Sequence, residues 1–427
     1  MIDDIKHGQL ERERAVLVGL YGPEIEKLQS REYIDELEML AHTAGAKTVE
    51  KVLQNRTNPD PSTYVGGGKL DELATWADEL EVDVFIFDDD LSPTQIRNIE
   101  KRTQRKVLDR SGLILDIFAS RAQTSASRTQ VELAQLQYLM PRLTRFWTHL
   151  SRQSGGIGTK GPGETQIETD RRLIGRRIAV LKEKLDKLDR QRTTQRKRRS
   201  DQIRISLVGY TNAGKSTLMN ELTETNVLAE DKLFATLDAT VRRWDLGPHT
   251  VLLSDTVGFI RKLPHNLIES FKSTLDEVRE ADILLHVVDA SSVSIDDHIR
   301  VVQETLEEMD VVNNRLLLVF NKIDVLDPDQ LQALQREWPD ALWVSAERAM
   351  GLSLLRRRIE EMIREDYVDF RYKIPLTHYK AVAFLHETAV VDEELFETDE
   401  VVVSGSVSKR NQKRVESMLT DLQGSPS

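Results

Sequence analysis

The chain has 427 residues, enough for two to four domains at about 150 residues each. Its 39% hydrophobic content is that of an ordinary globular protein, and the absence of cysteine excludes disulfides, thiolate metal sites and a cysteine nucleophile. A formal net charge of −12 argues against polyanion binding over the whole surface, and no run approaches ~18 consecutive apolar residues, so no membrane span is expected.

The opening MIDDIKHGQLERER has no apolar run of the kind a signal peptide carries, so a cytoplasmic protein is expected, with peripheral association at a membrane left open. From there apolar runs alternate with helical stretches. AVLVGL (15–20), KTVEKVLQ (47–54) and VDVFIFDD (82–89) read as strands. REYIDELEMLAHTAG (31–45), DELATWADEL (71–80) and SPTQIRNIEKRTQ (92–104) read as helices, the last opened by a Ser-Pro signal. The βαβ alternation predicts an N-terminal α/β domain over 1–125 with a largely parallel sheet. Within it, Gly66-Gly67-Gly68-Lys69 looks like a phosphate loop, but it lacks the spacing and a following Ser/Thr. It reads as a turn before a helix.

Residues 126–200 change character. Leu133, Leu136, Met140 and Leu143 fall at 3-4-3 spacing, and Ile174, Ile178, Leu181, Leu185 and Leu188 at 4-3-4-3. Two such seams predict an antiparallel helical hairpin. Its connection, 151–165, carries Gly155, Gly156, Gly158, Gly161 and Gly163 with Arg152 and Lys160, and reads as a mobile cationic glycine loop. Residues 171–199 hold 13 Lys/Arg against Glu183, Asp186 and Asp189. One strongly basic segment in an acidic chain points to a local polyanion contact or, more simply, to a solvated helix face.

The stretch 201–368 again alternates strand and helix, and it carries chemistry. Gly209, Tyr210, Thr211, Asn212, Ala213, Gly214, Lys215, Ser216 and Thr217 fit the G-x-x-x-x-G-K-[ST] phosphate loop between a strand and a helix. Loop amides and the helix N-terminus suit phosphate, Lys215 would neutralise the β- and γ-phosphates, and Ser216 would ligate Mg²⁺. In DKLFATLDATVRR, Thr236 or Thr240 would complete the metal shell, and Thr236 is favoured; Phe234, Ala235, Leu237 and Asp238 surround it. Asp255-Thr256-Val257-Gly258 ends the strand TVLLSD, with Asp255 reaching the metal through water and the Gly258 amide sensing the γ-phosphate. Asn321-Lys322-Ile323-Asp324 closes RLLLVF. The Asp324 carboxylate can accept from both N1–H and the exocyclic amine of guanine, a donor pair adenine lacks. Ser345-Ala346 follows ALWV and can offer a backbone amide to the base oxygen, with Glu347 closing the nucleotide-binding stretch. Four such segments in this order at strand ends identify a Mg²⁺-dependent GTP site.

Phe259 stands where Ras-like enzymes hold a water-orienting glutamine, so intrinsic hydrolysis should be slow. Either an external partner completes the site or a monovalent cation such as K⁺ does, held near Asn212; Asn212 reads equally as a loop-capping residue. Lys215, Thr236, Gly258 and Asn212 are the expected catalytic set. Residues 369–427 complete the chain as a small α+β domain, with AVAFLHETAVV and DEVVVSGSV as strands and KRNQKRVESMLTDL as a closing helix.

GYTNAGKSTL, LFATLDAT, DTVGFI and NKID, together with YVGGGKLDEL (64–73) and GGIGTKGPGETQIETDRRLI (155–174), make the chain similar to the HflX family of translation-factor-like GTPases, over nearly its whole length. The resemblance implies an N-terminal α/β domain, a helical hairpin, a Ras-like GTPase domain and a C-terminal domain found in some members. It places Thr236 at the magnesium-binding threonine. It also implies binding to the large ribosomal subunit and its ribosomal RNA, ribosome splitting or rescue under heat stress, and, for some members, ATP binding by the N-terminal domain. A monomer is expected. The competing readings are a GTP-dependent switch with a protein partner on the hairpin, and an ATP-dependent RNA-remodelling enzyme using the N-terminal domain.

Overall fold

The structure, a computed structural model, describes residues 12–23, 27–146, 162–197, 202–224, 233–247, 249–264, 272–311 and 315–423. The first domain is a four-stranded parallel sheet of order β2-β1-β3-β4, built from β1 (Arg14–Tyr21), β2 (Lys47–Asn55), β3 (Val84–Phe87) and β4 (Lys106–Asp109). Helices α1 (Lys27–Thr43), α2 (Gly67–Glu79), α3 (Pro93–Thr103) and α4 (Arg110–Arg121) cover it. β1 and β3 are buried on both faces, which is why they read as unbroken apolar runs rather than alternating ones. Helix α3 starts on a reciprocal cap, Ser92 with Gln95, with Pro93 in its first turn. Gly67, Gly68 and Lys69 are not a turn ahead of α2 but its first turn. A Cβ on either glycine would meet nothing within 4 Å, and Lys69 is occupied by Glu72 at 2.6 Å.

The hairpin consists of α5 (Ser125–Phe146) and α6 (Pro162–Lys197), which pack on each other. Leu133 and Leu181 are buried, and Leu136, Met140, Ile174, Ile178, Leu185 and Leu188 are half-buried, as the seam's spacing predicts; the side chain of Leu143, the remaining seam residue, lies outside what the structure describes. Arg177 grips Glu132 through two bonds, 2.7 and 3.0 Å, at matching distances from the facing helix ends, as antiparallel packing requires. Of the expected glycine loop, 151–161 lie outside the described residues, while Pro162, Gly163, Glu164 and Thr165 belong to α6. Proline in the first helical turn costs no hydrogen bond, so the helix starts earlier than the glycine content suggests.

The GTPase-type domain has a six-stranded sheet of order β10-β9-β8-β5-β7-β6. Its strands are β5 (Arg204–Gly209), β6 (Thr240–Leu246), β7 (His249–Asp255), β8 (Ile283–Asp289), β9 (Arg315–Asn321) and β10 (Leu342–Trp343). Only β6 runs antiparallel. Helices α7 (Lys215–Leu222), α8 (Lys272–Arg279), α9 (Ile295–Glu308), α10 (Pro328–Glu337) and α11 (Leu352–Arg364) accompany it. The last unit is an antiparallel sheet of order β11-β13-β12, from β11 (Tyr367–Pro375), β12 (Val390–Phe396) and β13 (Glu400–Ser408), with helices α12 (Lys380–Thr388) and α13 (Lys409–Gln423). β11 begins at Tyr367, just before the boundary expected at 369. AVAFLHETAVV is not one strand. Its first part is α12, burying Ala381, Val382 and Leu385, and only its end enters β12. A short apolar run carries no period that separates a buried helix from a strand.

The first two sheets are joined by one shared core. Leu113, Ile114, Ile117 and Phe118 of α4 and Val131 and Ala134 of α5 belong to the same buried cluster as Phe234, Leu237, Val257, Phe259 and Ile260. Phe118 meets Phe234 edge-on, with ring centroids 4.7 Å apart. Among the described residues, no helix is long and apolar enough to cross a membrane.

Candidate nucleotide-binding site

The loop from β5 to α7 is held open for phosphate by its glycines. Gly214 has φ +88, and a Cβ there would lie 2.2 Å from Asn321 Nδ2. Lys215 is buried, and its ammonium folds back to donate to the carbonyls of Gly209 (3.0 Å) and Tyr210 (2.8 Å). Burial pushes its pKa down to about 8, with the Asp255 charge opposing the shift.

Beside it, three oxygens converge. Ser216 Oγ lies 2.5 Å from Asp255 Oδ2 and 2.9 Å from Thr236 Oγ1, and Thr236 Oγ1 lies 3.2 Å from the same carboxylate oxygen. Asp255 is buried, its Oδ1 has no hydrogen-bond partner among the described residues, and burial raises its pKa against the pull of Lys215. The two hydroxyls are hard oxygen donors that fit Mg²⁺, with the carboxylate placed to reach it through water and the remaining ligands supplied by nucleotide oxygens and water. Thr240, the alternative to Thr236, starts β6 and is exposed.

The Gly258 turn is pressed onto the phosphate loop. A Cβ at Gly258 would come within 2.7 Å of Thr211 Cα and 3.1 Å of Lys215 Nζ. Thr211 N–H donates to the Phe259 carbonyl at 2.7 Å, and Phe259 N–H donates to the Gly209 carbonyl at 3.1 Å. The Phe259 ring is 2% exposed, lies in the shared core and is not among the residues lining the phosphate cleft. Asn212, with φ +62, lines that cleft. That φ is a left-handed turn conformation asparagine favours, and its side chain has no hydrogen-bond partner among the described residues.

On the base side, Asn321 ties two loops together. Its Nδ2 donates to the Ala213 carbonyl (3.0 Å), and its Oδ1 accepts from Ala346 N–H (2.9 Å). The Ala346 amide is therefore engaged by protein, and among the described residues the Glu347 amide has no such partner. Lys322 has φ +64 and pairs with Asp289 at 2.7 Å. Asp324 sits in the short 3₁₀ turn Ile323–Val325, exposed, with no partner among the described residues. Ser345 is buried, its Oγ accepting from Arg348 N–H at 3.0 Å.

Comparisons with known proteins agree along the chain. Residues 31–119 match the family described as GTP-binding GTPase N-terminal, 121–199 the GTP-binding GTPase Middle Region, and 204–322 the 50S ribosome-binding GTPase family. GTPase HflX of Flavobacterium psychrophilum is 47% identical over 378 residues, covering 83% of this chain and 92% of the relative. GTPase HflX of Escherichia coli strain K12 is 42% identical over 401 residues, covering 93% and 92%. The chain belongs to the HflX GTPase family. It is a GTP hydrolase with a GTP-binding domain, and the family implies GTP and Mg²⁺. Among solved structures it is similar to the SsGBP–GDP complex, at 25% identity and a TM-score of 0.45, covering 82% of this chain and 98% of that one.

This HflX GTPase surrounds its nucleotide site with contacts that the motifs do not announce. The Tyr210 side chain leaves the phosphate loop. Its hydroxyl donates to Glu36 of α1, its ring stacks on His298 at 3.8 Å, and it is not among the residues lining the phosphate cleft, to which it is tied by its carbonyl's bond from Lys215. Glu36 also pairs with the buried Arg110, which holds Asp88 at 2.8 Å and donates through Nε to the Arg261 carbonyl at 3.1 Å. Leu237 and Val257 point into the shared core. Asp238, expected at the nucleotide, instead turns its carboxylate to Thr124 and Ser127. The signals were thin. Asp88 follows the apolar run VFIF and Glu36 lies in a charged helical stretch, and nothing in the sequence says what they face.

Proposed function

We propose that this GTPase binds the large ribosomal subunit in its GTP form and separates or rescues stalled ribosomes in the cytoplasm, with hydrolysis ending the bound state. Ser216 and Thr236 hold Mg²⁺ directly, and Asp255 holds it through water. Lys215 neutralises the β- and γ-phosphates, which frees its ammonium from the Gly209 and Tyr210 carbonyls. The Gly258 amide meets the γ-phosphate, Asp324 reads guanine, and Glu347 rather than Ala346 gives its amide to the base oxygen. Bound Mg²⁺ supplies charge neutralisation on the β- and γ-phosphates.

The convergence of Ser216, Thr236 and Asp255 next to Lys215 carries the nucleotide half of this reading. The ribosomal half rests on α6. Arg171, Arg172, Arg176, Arg177, Lys182, Lys184, Lys187 and Arg190 are all exposed, a cationic surface suited to RNA phosphate. With the Phe259 ring withdrawn from the cleft, no side chain from that position orients water, so the bound subunit, or K⁺ beside Asn212, completes the site. The test is co-sedimentation with large subunits in GTP analogue and in GDP, and hydrolysis with and without subunits in potassium and in sodium. Analogue-dependent binding and stimulated hydrolysis are expected; binding indifferent to nucleotide would defeat the proposal. Binding that persists after nuclease treatment would point to a protein partner on the hairpin.

A further inference from the structure

We propose that Asp238 is a positioning residue whose carboxylate hooks the segment ahead of β6 onto the N-terminus of α5, so that Thr236 is held ready for the GTP form. The inference rests on the assignment of Thr236 to the metal.

Asp238 Oδ1 accepts from Thr124 Oγ1 at 2.6 Å, and Oδ2 accepts from Ser127 Oγ at 3.1 Å and from Thr124 N–H at 3.3 Å. Thr124 Oγ1 itself accepts from Ser127 N–H at 3.1 Å, so the groups Asp238 grips are the cap of α5. The unpaired amides at a helix start add positive potential, which suits a carboxylate at this place. Two residues earlier, Thr236 Oγ1 meets Ser216 and Asp255. Leu237, between them, is 3% exposed in the core shared by the two domains. The segment is pinned at three successive residues, and two Cα–Cα steps span at most about 7 Å. The threonine hydroxyl and the aspartate carboxylate therefore move together.

GDP has no γ-phosphate and makes no demand on Thr236, whereas the triphosphate with its metal does. The hook thus favours the GTP form over the GDP form. By linkage, GTP favours attachment of α5, and with it the cationic hairpin, by the same factor.

Thr124→Val combined with Ser127→Ala removes both hydroxyl donors, leaving only the long Thr124 N–H contact, without touching a residue that lines the phosphate cleft. Kd is measured for a non-hydrolysable GTP analogue and for GDP, both with Mg²⁺. The analogue should bind about five- to tenfold more weakly, with GDP changed by less than about twofold. Asp238→Ala should give the same shift, and the triple variant no more than Asp238→Ala alone, because the residues form one contact. Thr124→Ser, which keeps the hydroxyl, should restore the wild-type ratio and guards against a folding defect. Equal weakening of both nucleotides, an unchanged ratio, or effects that multiply would each overturn the hook alone. A wild-type chain that bound no guanine nucleotide would overturn the site assignment, and the hook with it.

Discussion

Arg261 places its guanidinium 3.6 Å from the centroid of the Tyr33 ring while its Nη2 reaches both carboxylate oxygens of Asp88, at 2.9 and 3.0 Å. Arg261 follows the DTVGFI segment of the GTPase domain, and both its partners belong to the N-terminal domain. The contact therefore joins the Gly258 turn to a separate sheet.

Arg261→Ala removes the cation–π contact and one of three cations around Asp88. Burial raises the Asp88 carboxyl, but Arg110, Arg261 and Lys262 outweigh it and hold the pKa below the usual range. Its contribution is complete above the ordinary carboxylate pKa and is lost as pH falls through the lowered value. The variant should lose about 2–4 kcal/mol from the domain contact, read as a lower denaturant midpoint and earlier proteolytic separation of the domains. An unchanged midpoint would remove Arg261 from the interface.

Phe259→Gln should not create a Ras-like enzyme. The ring sits in the shared core, and the neighbouring backbone is fixed by the bonds to Gly209 and Thr211. A buried amide there lacks partners and should cost about 2–3 kcal/mol. Intrinsic hydrolysis measured in single turnover should stay flat or fall; a rise of tenfold would show that position 259 reaches the γ-phosphate.

GTP affinity should depend on pH through Lys215. Below about pH 8 its amine is already charged in the free protein. Above that value it must be protonated before it can serve the phosphates, so affinity should fall towards about tenfold per pH unit. Calorimetric titration in buffers of different ionisation enthalpy should show proton uptake there, and Lys215→Arg should flatten the profile. Because folding lowers this pKa from 10.5, the unfolded chain holds more protons between about pH 8 and 10.5. The nucleotide-free protein therefore gains stability from this group as pH rises across that window.

Asp324→Asn should shift preference from guanine toward xanthine by at least about tenfold, since the amide donates where the carboxylate accepts. Competition binding of the two nucleotides measures this, and an unchanged preference would remove Asp324 from the base contact.

Much of this was legible in the sequence because phosphate chemistry is local. A loop that needs Gly214, then Lys215 and Ser216 at a helix start, must be contiguous, so its spacing survives as a pattern. The hairpin seam was legible for the same reason, since Ile174 to Leu188 repeat along one helix. The roles of Tyr210 and Asp238 were not. Each stands inside a nucleotide motif while its side chain serves a partner far off in sequence, Glu36 and Thr124. Position within a motif fixes where the main chain runs, and tertiary packing decides where the side chain turns. The tail failed differently: AVAFLH is too short for its apolar pattern to distinguish α12 from a strand.

Helix α6 has 36 residues, so at 1.5 Å per residue it reaches about 54 Å. Its C-terminal end leads into β5, the strand that carries the phosphate loop. A straight rod of that length magnifies any change of angle at its root: a tilt of roughly 10° there would carry the opposite end through about 9 Å.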